Sequence, residues 1–198
     1  MTIRPSILLA TIAAALLLCQ PACVSTRTAD SLTRQARKGD AQAQYDLGIR
    51  YLDGDSADRN FAQAGTWLRK AAGQGHAKAQ TMLAWSLLYD GGSDKDKVAA
   101  EALIWYTQAA GQGDAQAQYV LGLYYANGYG VIQDFAKSVK WYTKAAEQGN
   151  RHAQNALGQC YANGYGVDKD IAQAIKWLTK AAAQGAPYAQ ETLETLTQ

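Results

Sequence analysis

Apolar and small residues return along this chain at helical spacing, and the pattern itself recurs. Ala43, Leu47, Gly48 and Tyr51 stand at i, i+4, i+5 and i+8. That is one face of an α-helix rather than the alternation of a strand, and it predicts a helix near residues 41–52. Ala64, Trp67, Leu68 and Ala71, at i, i+3, i+4 and i+7, predict a second helix near 61–72. The pair is then rewritten down the chain. Gly39, Gly75, Gly113, Gly149 and Gly185 are spaced 36, 38, 36 and 36 residues apart. Ala43, Ala79, Ala117, Ala153 and Ala189, each followed by Gln, keep that spacing, as do Leu47, Leu83, Leu121, Leu157 and Leu193. Trp67, Trp105, Trp141 and Trp177 follow at 38, 36 and 36. A fixed period of this length marks a repeat architecture in which each copy is one helical hairpin, unable to bury its apolar face without a neighbour.

The unit reads roughly A-x-x-L-G-x-x-Y-x-x-G-x-G-V-x-x-D-x-x-x-A-x-x-W-Y-x-K-A-A-x-Q-G. Copies fall at about 40–75, 76–113, 114–149 and 150–185 within an array spanning 31–198. Residues 32–39 match the closing half of a copy. Residues 186–198 are a last half-copy, with Tyr188, Leu193 and Leu196 as an apolar face and Gln190, Glu191, Glu194 and Gln198 as a polar one, the form expected of a C-terminal cap. Gly48, Gly122 and Gly158 each cost about 1 kcal/mol relative to alanine inside a helix. Their return at one register predicts a contact too tight for a methyl group, although Ala84 shows that copy two tolerates one. Small residues let helices approach, and the large aromatics are expected to fill the space opposite.

The first 23 residues break the pattern. Arg4 precedes an apolar run from Ile7 to Leu18, and Gln20 and Pro21 lead to the small Ala22 and to Cys23. This is the layout of a secretory signal peptide, with an apolar core too short to span a membrane. Ala22-Cys23 resembles a bacterial lipobox, which implies lipid attachment at Cys23, although Gln20 stands where that pattern usually has Leu. Val24 after the cysteine resembles lipoproteins sent to the outer membrane. Ordinary cleavage nearby, for example after Ser25, is the other reading and leaves a periplasmic or secreted protein. Residues 24–30 are expected to form a flexible tether.

Composition narrows the function classes. The 198 residues carry 19 Lys+Arg against 17 Asp+Glu, a formal +2 that falls to +1 when Arg4 is removed with the leader. A near-neutral chain lacks the electrostatic footprint of a nucleic-acid binder. Hydrophobic residues make up 48%, too many for a disordered tail. Export leads to an oxidising compartment, yet the array holds Cys160 alone, so no disulfide framework forms within it.

The motifs A-Q-x-x-L-G-x-x-Y, N-G-Y-G-V-x-x-D and W-Y-x-K-A-A-x-Q-G closely resemble the Sel1-like repeat, a relative of the tetratricopeptide repeat, over about 150 of the 198 residues. Copies three and four are nearest that pattern. Copy one lacks the second loop glycine, and copy two has Leu87 at the tyrosine register and two extra residues near Gly91. The resemblance implies an all-α fold, an α-solenoid of four helix–turn–helix repeats with an N-terminal half-repeat and a C-terminal capping helix, its A helices on the concave side. It also implies an adaptor, scaffold or immunity role in the cell envelope. Some exported members resemble immunity proteins that neutralise lipase effectors, so the partner would be an envelope component or a secreted effector. Cysteine-rich, disulfide-stapled relatives imply a different class, β-lactam binding or hydrolysis, but they carry a cysteine pair in each repeat.

Residue chemistry adds no enzyme signature. Gly128-Tyr129-Gly130 and Gly164-Tyr165-Gly166 lack the Gly-Lys-Ser/Thr of a phosphate loop and the preceding strand of a dinucleotide site. They read as turns needing positive φ, with Asp134 and Asp170 capping the following helix. His76 shares its register with Asp40, Asp114 and Asn150, good N-cap residues, and reads as a first-turn residue. His152 has Ala156, no ligand, at i+4, so a zinc site is not expected. Cys160 has no base that the pattern can locate. No catalytic residue, metal or cofactor is expected.

Copies compared with one another separate scaffold from surface. If helix A follows the tetratricopeptide arrangement, a carry-over by resemblance, five slots per copy face the concave side. They offer Tyr45 and Ile49 in copy one, Lys78, Trp85 and Tyr89 in copy two, and Tyr119 and Leu123 in copy three, while copy four offers polar His152, Asn155 and Gln159. Trp85 stands apart because the other four tryptophans share the helix B register. Tryptophan and tyrosine dominate binding hot spots, where truncation costs about 2 kcal/mol or more. The expectation is a groove that binds a protein segment with Trp85 as central anchor, against the alternative that Trp85 packs on a neighbouring helix.

Overall fold

The computed structural model describes residues 26–53, 60–90 and 95–197. The chain divides into two compact units, one ending at Gln112 and one running from Gly113. The first holds α1 (Thr26–Arg37), α2 (Ala41–Asp53), α3 (Phe61–Gly73), α4 (Ala77–Asp90) and α5 (Lys95–Gly111). The second holds α6 (Ala115–Asn127), α7 (Phe135–Glu147), α8 (Arg151–Asn163), α9 (Ile171–Ala183) and α10 (Ala189–Thr197). No strand occurs among the described residues. The fold is all-α, an α-solenoid of four repeated helical hairpins. In each copy the even-numbered helix from α2 to α8 is helix A and the helix after it is helix B. The expected signal peptide, Cys23 and residues 24–25 lie outside the described residues. The tether expected over 24–30 is cut short, because α1 begins at Thr26. No proline or glycine interrupts the chain between Thr26 and Arg37, so nothing there breaks a helix.

Seven of the described helix starts are specified locally. Asn60, Asp134 and Asp170 precede helix B and accept from the backbone N–H groups of Gln63, Lys137 and Gln173. Asp40, Asp114 and Asn150 do the same for helix A through Ala43, Ala117 and Ala153. Such a cap satisfies one of the N–H groups that a helix end leaves open and is worth about 1 kcal/mol. His76 performs the same task. Its Nδ1 accepts from Ala79 N at 3.1 Å, so the first-turn residue is the N-cap itself.

Helix A meets helix B at the glycine register. A Cβ on Gly48 would lie 2.7 Å from Leu68 Cγ, one on Gly122 2.5 Å from the Tyr142 ring, and one on Gly158 2.6 Å from Leu178 Cγ. Overpacking by one methyl there costs about 1–3 kcal/mol, more than the helix propensity alanine would return. The filler opposite the glycine is the residue after the tryptophan. Leu68, Tyr106 and Leu178 are 0% exposed and Tyr142 is 3% exposed. Trp67, Trp105 and Trp141 are only half-buried, and Lys70, Lys144 and Lys180 lie over the rings of Trp67, Trp141 and Trp177 at 4.3, 4.4 and 4.6 Å. In the first three copies the tryptophan thus covers the outer surface while its neighbour builds the core, and in the fourth Trp177 is itself buried.

One copy is stapled to the next by glutamines. Gln44, Gln80, Gln118 and Gln154, the glutamines of four Ala-Gln pairs, are buried, and in three of them Nε2 donates to the last turn of the preceding helix. Gln44 reaches Ala36 O, Gln80 reaches Ala72 O and Gln154 reaches Ala146 O, at 3.0, 3.1 and 3.1 Å. Each Oε1 accepts from the glutamine before the closing glycine: Gln74 to Gln44, Gln112 to Gln80, Gln148 to Gln118 and Gln184 to Gln154, at 2.7–2.8 Å. A buried amide with both ends satisfied fixes register, because a slip would strand polar atoms away from water.

The C-terminal cap differs from expectation at one residue. Leu193 and Leu196 cover the last core cluster of Leu178, Ala181, Ala186 and Ala189. Tyr188 is 74% exposed and takes φ 62°, so it stands outside that face.

Candidate functional site

In the first unit the expected contact residues gather on α2 and α4. Lys78 and Tyr89 are exposed, and Tyr45 and Ile49 are half-buried. Lys78, Trp85 and Tyr89 sit seven and eleven residues apart, which at 100° per residue puts them on one stripe of α4. The rise of 1.5 Å per residue makes that stripe roughly 16 Å long. At its far end Phe61, the first residue of helix B, stacks on Tyr89 with ring centroids 4.9 Å apart. Trp85 completes the cluster at 5.2 Å from Tyr89 and 6.4 Å from Phe61.

Trp85 is not the open anchor expected of it. It is 4% exposed, and its Nε1 is buried without a hydrogen-bond partner. Its ring is covered because Phe61 and Tyr89 close over it, and it forms the floor beneath Tyr89. At the near end Tyr45 stacks on His76 at 4.9 Å. The His76 Nδ1 accepts the cap bond, so Nε2 carries the ring proton and donates to Gln42 Oε1 at 3.1 Å. Gln42 in turn donates to Asp46 Oδ1 at 2.7 Å.

The second unit closes the same register. Tyr119 and Leu123, expected as groove residues, are 6% and 9% exposed. Tyr119 lies 6.0 Å from Tyr142 and 5.7 Å from His152, which supply the cover that removes it from solvent. Burial pushes its hydroxyl up to about 12. The His152 pKa is lowered, first by burial and then by the charge of Arg151, whose Nε donates to His152 Nε2 at 3.3 Å. The seven expected residues therefore divide by unit and by exposure, and Trp85, Tyr119 and Leu123 are interior positions.

Besides Tyr188, two exposed aromatics of the second unit lie at the junctions between helices A and B. Phe135 (38% exposed) stacks on Tyr165 (53% exposed) at 5.5 Å, near Ile132, which is 90% exposed. Gly166 packs against the backbone carbonyl of Phe135, and a Cβ at this position would overlap it. Sequence reasoning passed over this pair because the Gly-Tyr-Gly triplets look alike. Tyr129 turns its edge to Tyr124 at 6.3 Å, whereas Tyr165 faces out. A phenylalanine at the first position of helix B was the available signal.

The remaining chemistry is quiet. Cys160 is buried, and burial pushes its thiol up to about 11, leaving the protonated, unreactive form. No cluster of metal-ligating side chains occurs among the described residues. No described helix is long and apolar enough to cross a membrane.

Helical hairpins capped, packed and stapled at one period define an α-solenoid. The Sel1 repeat model matches residues 41–76, 77–114, 115–150 and 151–185, and the chain belongs to the Sel1 repeat family. It is similar to c5321, a protective antigen of uropathogenic Escherichia coli with an SLR fold, at 41% identity and a TM-score of 0.73, covering 81% of this chain and 34% of that one. It is also similar to a Sel1 repeat protein from Oxalobacter formigenes, at 34% identity and a TM-score of 0.77, covering 98% and 55%. A more distant likeness is cysteine rich protein B of Helicobacter pylori, at 25% identity and a TM-score of 0.52, covering 68% and 100%. The chain thus spans 34% and 55% of the lengths of the first two. No curated protein matches it. Sel1 repeat proteins are generally protein-interaction modules, and the fold is typically non-enzymatic.

Proposed function

We propose that the chain is a protein–protein interaction module of the bacterial cell envelope, exported and held by a lipid on Cys23. In this reading the helix A face of the first unit takes a partner protein, and the module acts as an adaptor, scaffold or inhibitor. The observation that carries it is the stripe on α4, where Lys78 and Tyr89 stand exposed over a buried Trp85 floor with Tyr45 and Ile49 half-open on α2. A rigid aromatic held by two other rings loses little conformational freedom on binding, and a nearby lysine adds charge selectivity. The matching register of the second unit is filled by its own Tyr119 and Leu123.

The test begins with capture of the partner from envelope extract and its identification by mass spectrometry. The affinity of the purified pair is then measured for Tyr89→Ala and Lys78→Glu. Tyr89→Ala is expected to weaken binding about tenfold, beside a stability loss of about 1–2 kcal/mol from its ring contacts with Phe61 and Trp85, whereas Lys78→Glu should weaken binding with thermal stability nearly unchanged. An unaltered Kd in both variants would reject the α4 face. For the anchor, Cys23→Ser is expected to move the protein from the membrane pellet to the soluble fraction, and a variant that stays in the pellet rejects lipidation.

A further inference from the structure

The two units differ on their outer, helix B surfaces. In the first, Arg69 on α3 pairs with Glu101 on α5 at 2.9 Å, and Glu101 also accepts from Trp105 Nε1 at 3.3 Å. That pair is neutral, although α3 and α5 together still carry four basic residues against two acidic ones. In the second, α7 exposes Lys137, Lys140 and Lys144 and α9 exposes Lys176 and Lys180, while the one carboxylate within either helix is Glu147 at the end of α7. Lys137 is held by Asp134 at 3.4 Å. Lys140, Lys144, Lys176 and Lys180 make no ion pair among the described residues. They form two i, i+4 pairs at one register of successive copies, and like charges so spaced repel each other. The first unit places Thr66 and Lys70, then Ile104 and Gln108, at these positions.

The lysines are also positioned. Lys144 lies over Trp141 at 4.4 Å, and Lys180 and Lys176 lie over Trp177 at 4.6 and 5.6 Å. A ring beneath the ammonium limits the rotamers it samples, so less freedom is lost when an anion binds.

We infer that the α7–α9 face of the second unit docks an acidic segment of a partner protein, its carboxylates pairing with Lys140, Lys144, Lys176 and Lys180. This rests on the interaction-module reading and gives its partner a chemistry. A bilayer is the poorer occupant. The apolar rings of this face are already covered by lysine, and the exposed Ile132, Phe135 and Tyr165 lie by the loops that carry Asp134, Asp168 and Asp170, which an anionic membrane repels.

The experiment is a fluorescence-anisotropy titration of a dye-labelled octaglutamate peptide with the full mature chain. Saturable binding that weakens with added salt is expected. Lys140→Gln with Lys176→Gln should weaken it about fivefold. Lys38→Gln with Lys70→Gln removes the same charge from the first unit and should leave it within about twofold. No binding, equal weakening by both double variants, or binding to phosphatidylglycerol vesicles in place of the peptide would each overturn the inference. Such a failure leaves the α4 reading standing, since Tyr89→Ala tests a different unit against the native partner.

Discussion

The two units are written with one repeat and sealed in two ways. In the second, the loop between helices A and B carries both glycines, Gly164 and Gly166 take positive φ, and Gly166 packs on the Phe135 carbonyl while Tyr165 stacks on its ring. In the first, copy two departs from that loop motif, and the ring of Phe61 is met from within a helix, by Tyr89 with Trp85 beneath. The same need, packing an aromatic at the start of helix B, is met by a loop tyrosine in the second unit and by helix side chains in the first. The helix side chains do so at the price of a buried, unpartnered indole N–H, and they leave Tyr89 open on the helix face. The irregular unit is therefore the one that leaves an aromatic exposed on its A helices.

The sharpest way to break this contrast is Trp85→Ala, which should remove about 3–5 kcal/mol from the first unit in urea unfolding. Trp85→Phe, which also deletes the orphan N–H, should stay within about 1.5 kcal/mol of the parent. If both cost the same, the ring is not the floor described here. Gly166→Ala comes next. It meets the Phe135 backbone and a strained φ together, and should cost about 2–3 kcal/mol, detectable as a lower urea midpoint. Gly39→Ala, where no atom crowds the added carbon, should cost less.

The staple should behave alike in both units. Gln44→Leu and Gln154→Leu each strand a helix-end carbonyl and a glutamine partner, and a loss of about 1–3 kcal/mol is expected for each. Unequal losses would mean that one unit registers its copies by other contacts. The smallest effect belongs to His152. Its folded pKa lies below the ordinary 6.5, so the unfolded chain binds the proton more readily. The stability it contributes is present above about pH 6.5 and is lost as pH falls below that value. The melting temperature should therefore drop more between pH 7 and 5 in the parent than in His152→Gln, which carries the residue found at that register as Gln42 and Gln116.

Periodic features were legible without coordinates. The hairpins, the capping registers of Asp134 and Asp170, and the tight glycines at 48, 122 and 158 follow from residues whose role is local or repeats at fixed spacing. The glutamine staple was half legible. The Ala-Gln and Gln-Gly pairs both recurred, but nothing in their spacing said that Gln74 reaches back to Gln44 across a hairpin. The candidate site was the least legible part. Slots carried over by register made Trp85, Tyr119 and Leu123 look like Tyr45 and Tyr89, because register gives direction around a helix but not what the neighbouring helix places there.

The sequence by itself determined the repeat, its helices, their ends and the residues too small to vary, since capping, propensity and period act within a few residues of one another. Exposure was decided by tertiary structure. Whether an aromatic on helix A is a floor, a lid or a contact depends on a ring contributed from some 24 to 33 residues away, as Phe61 is to Trp85 and His152 is to Tyr119. Close packing fills such spaces one side chain at a time, and a periodic sequence does not say which copy fills its own.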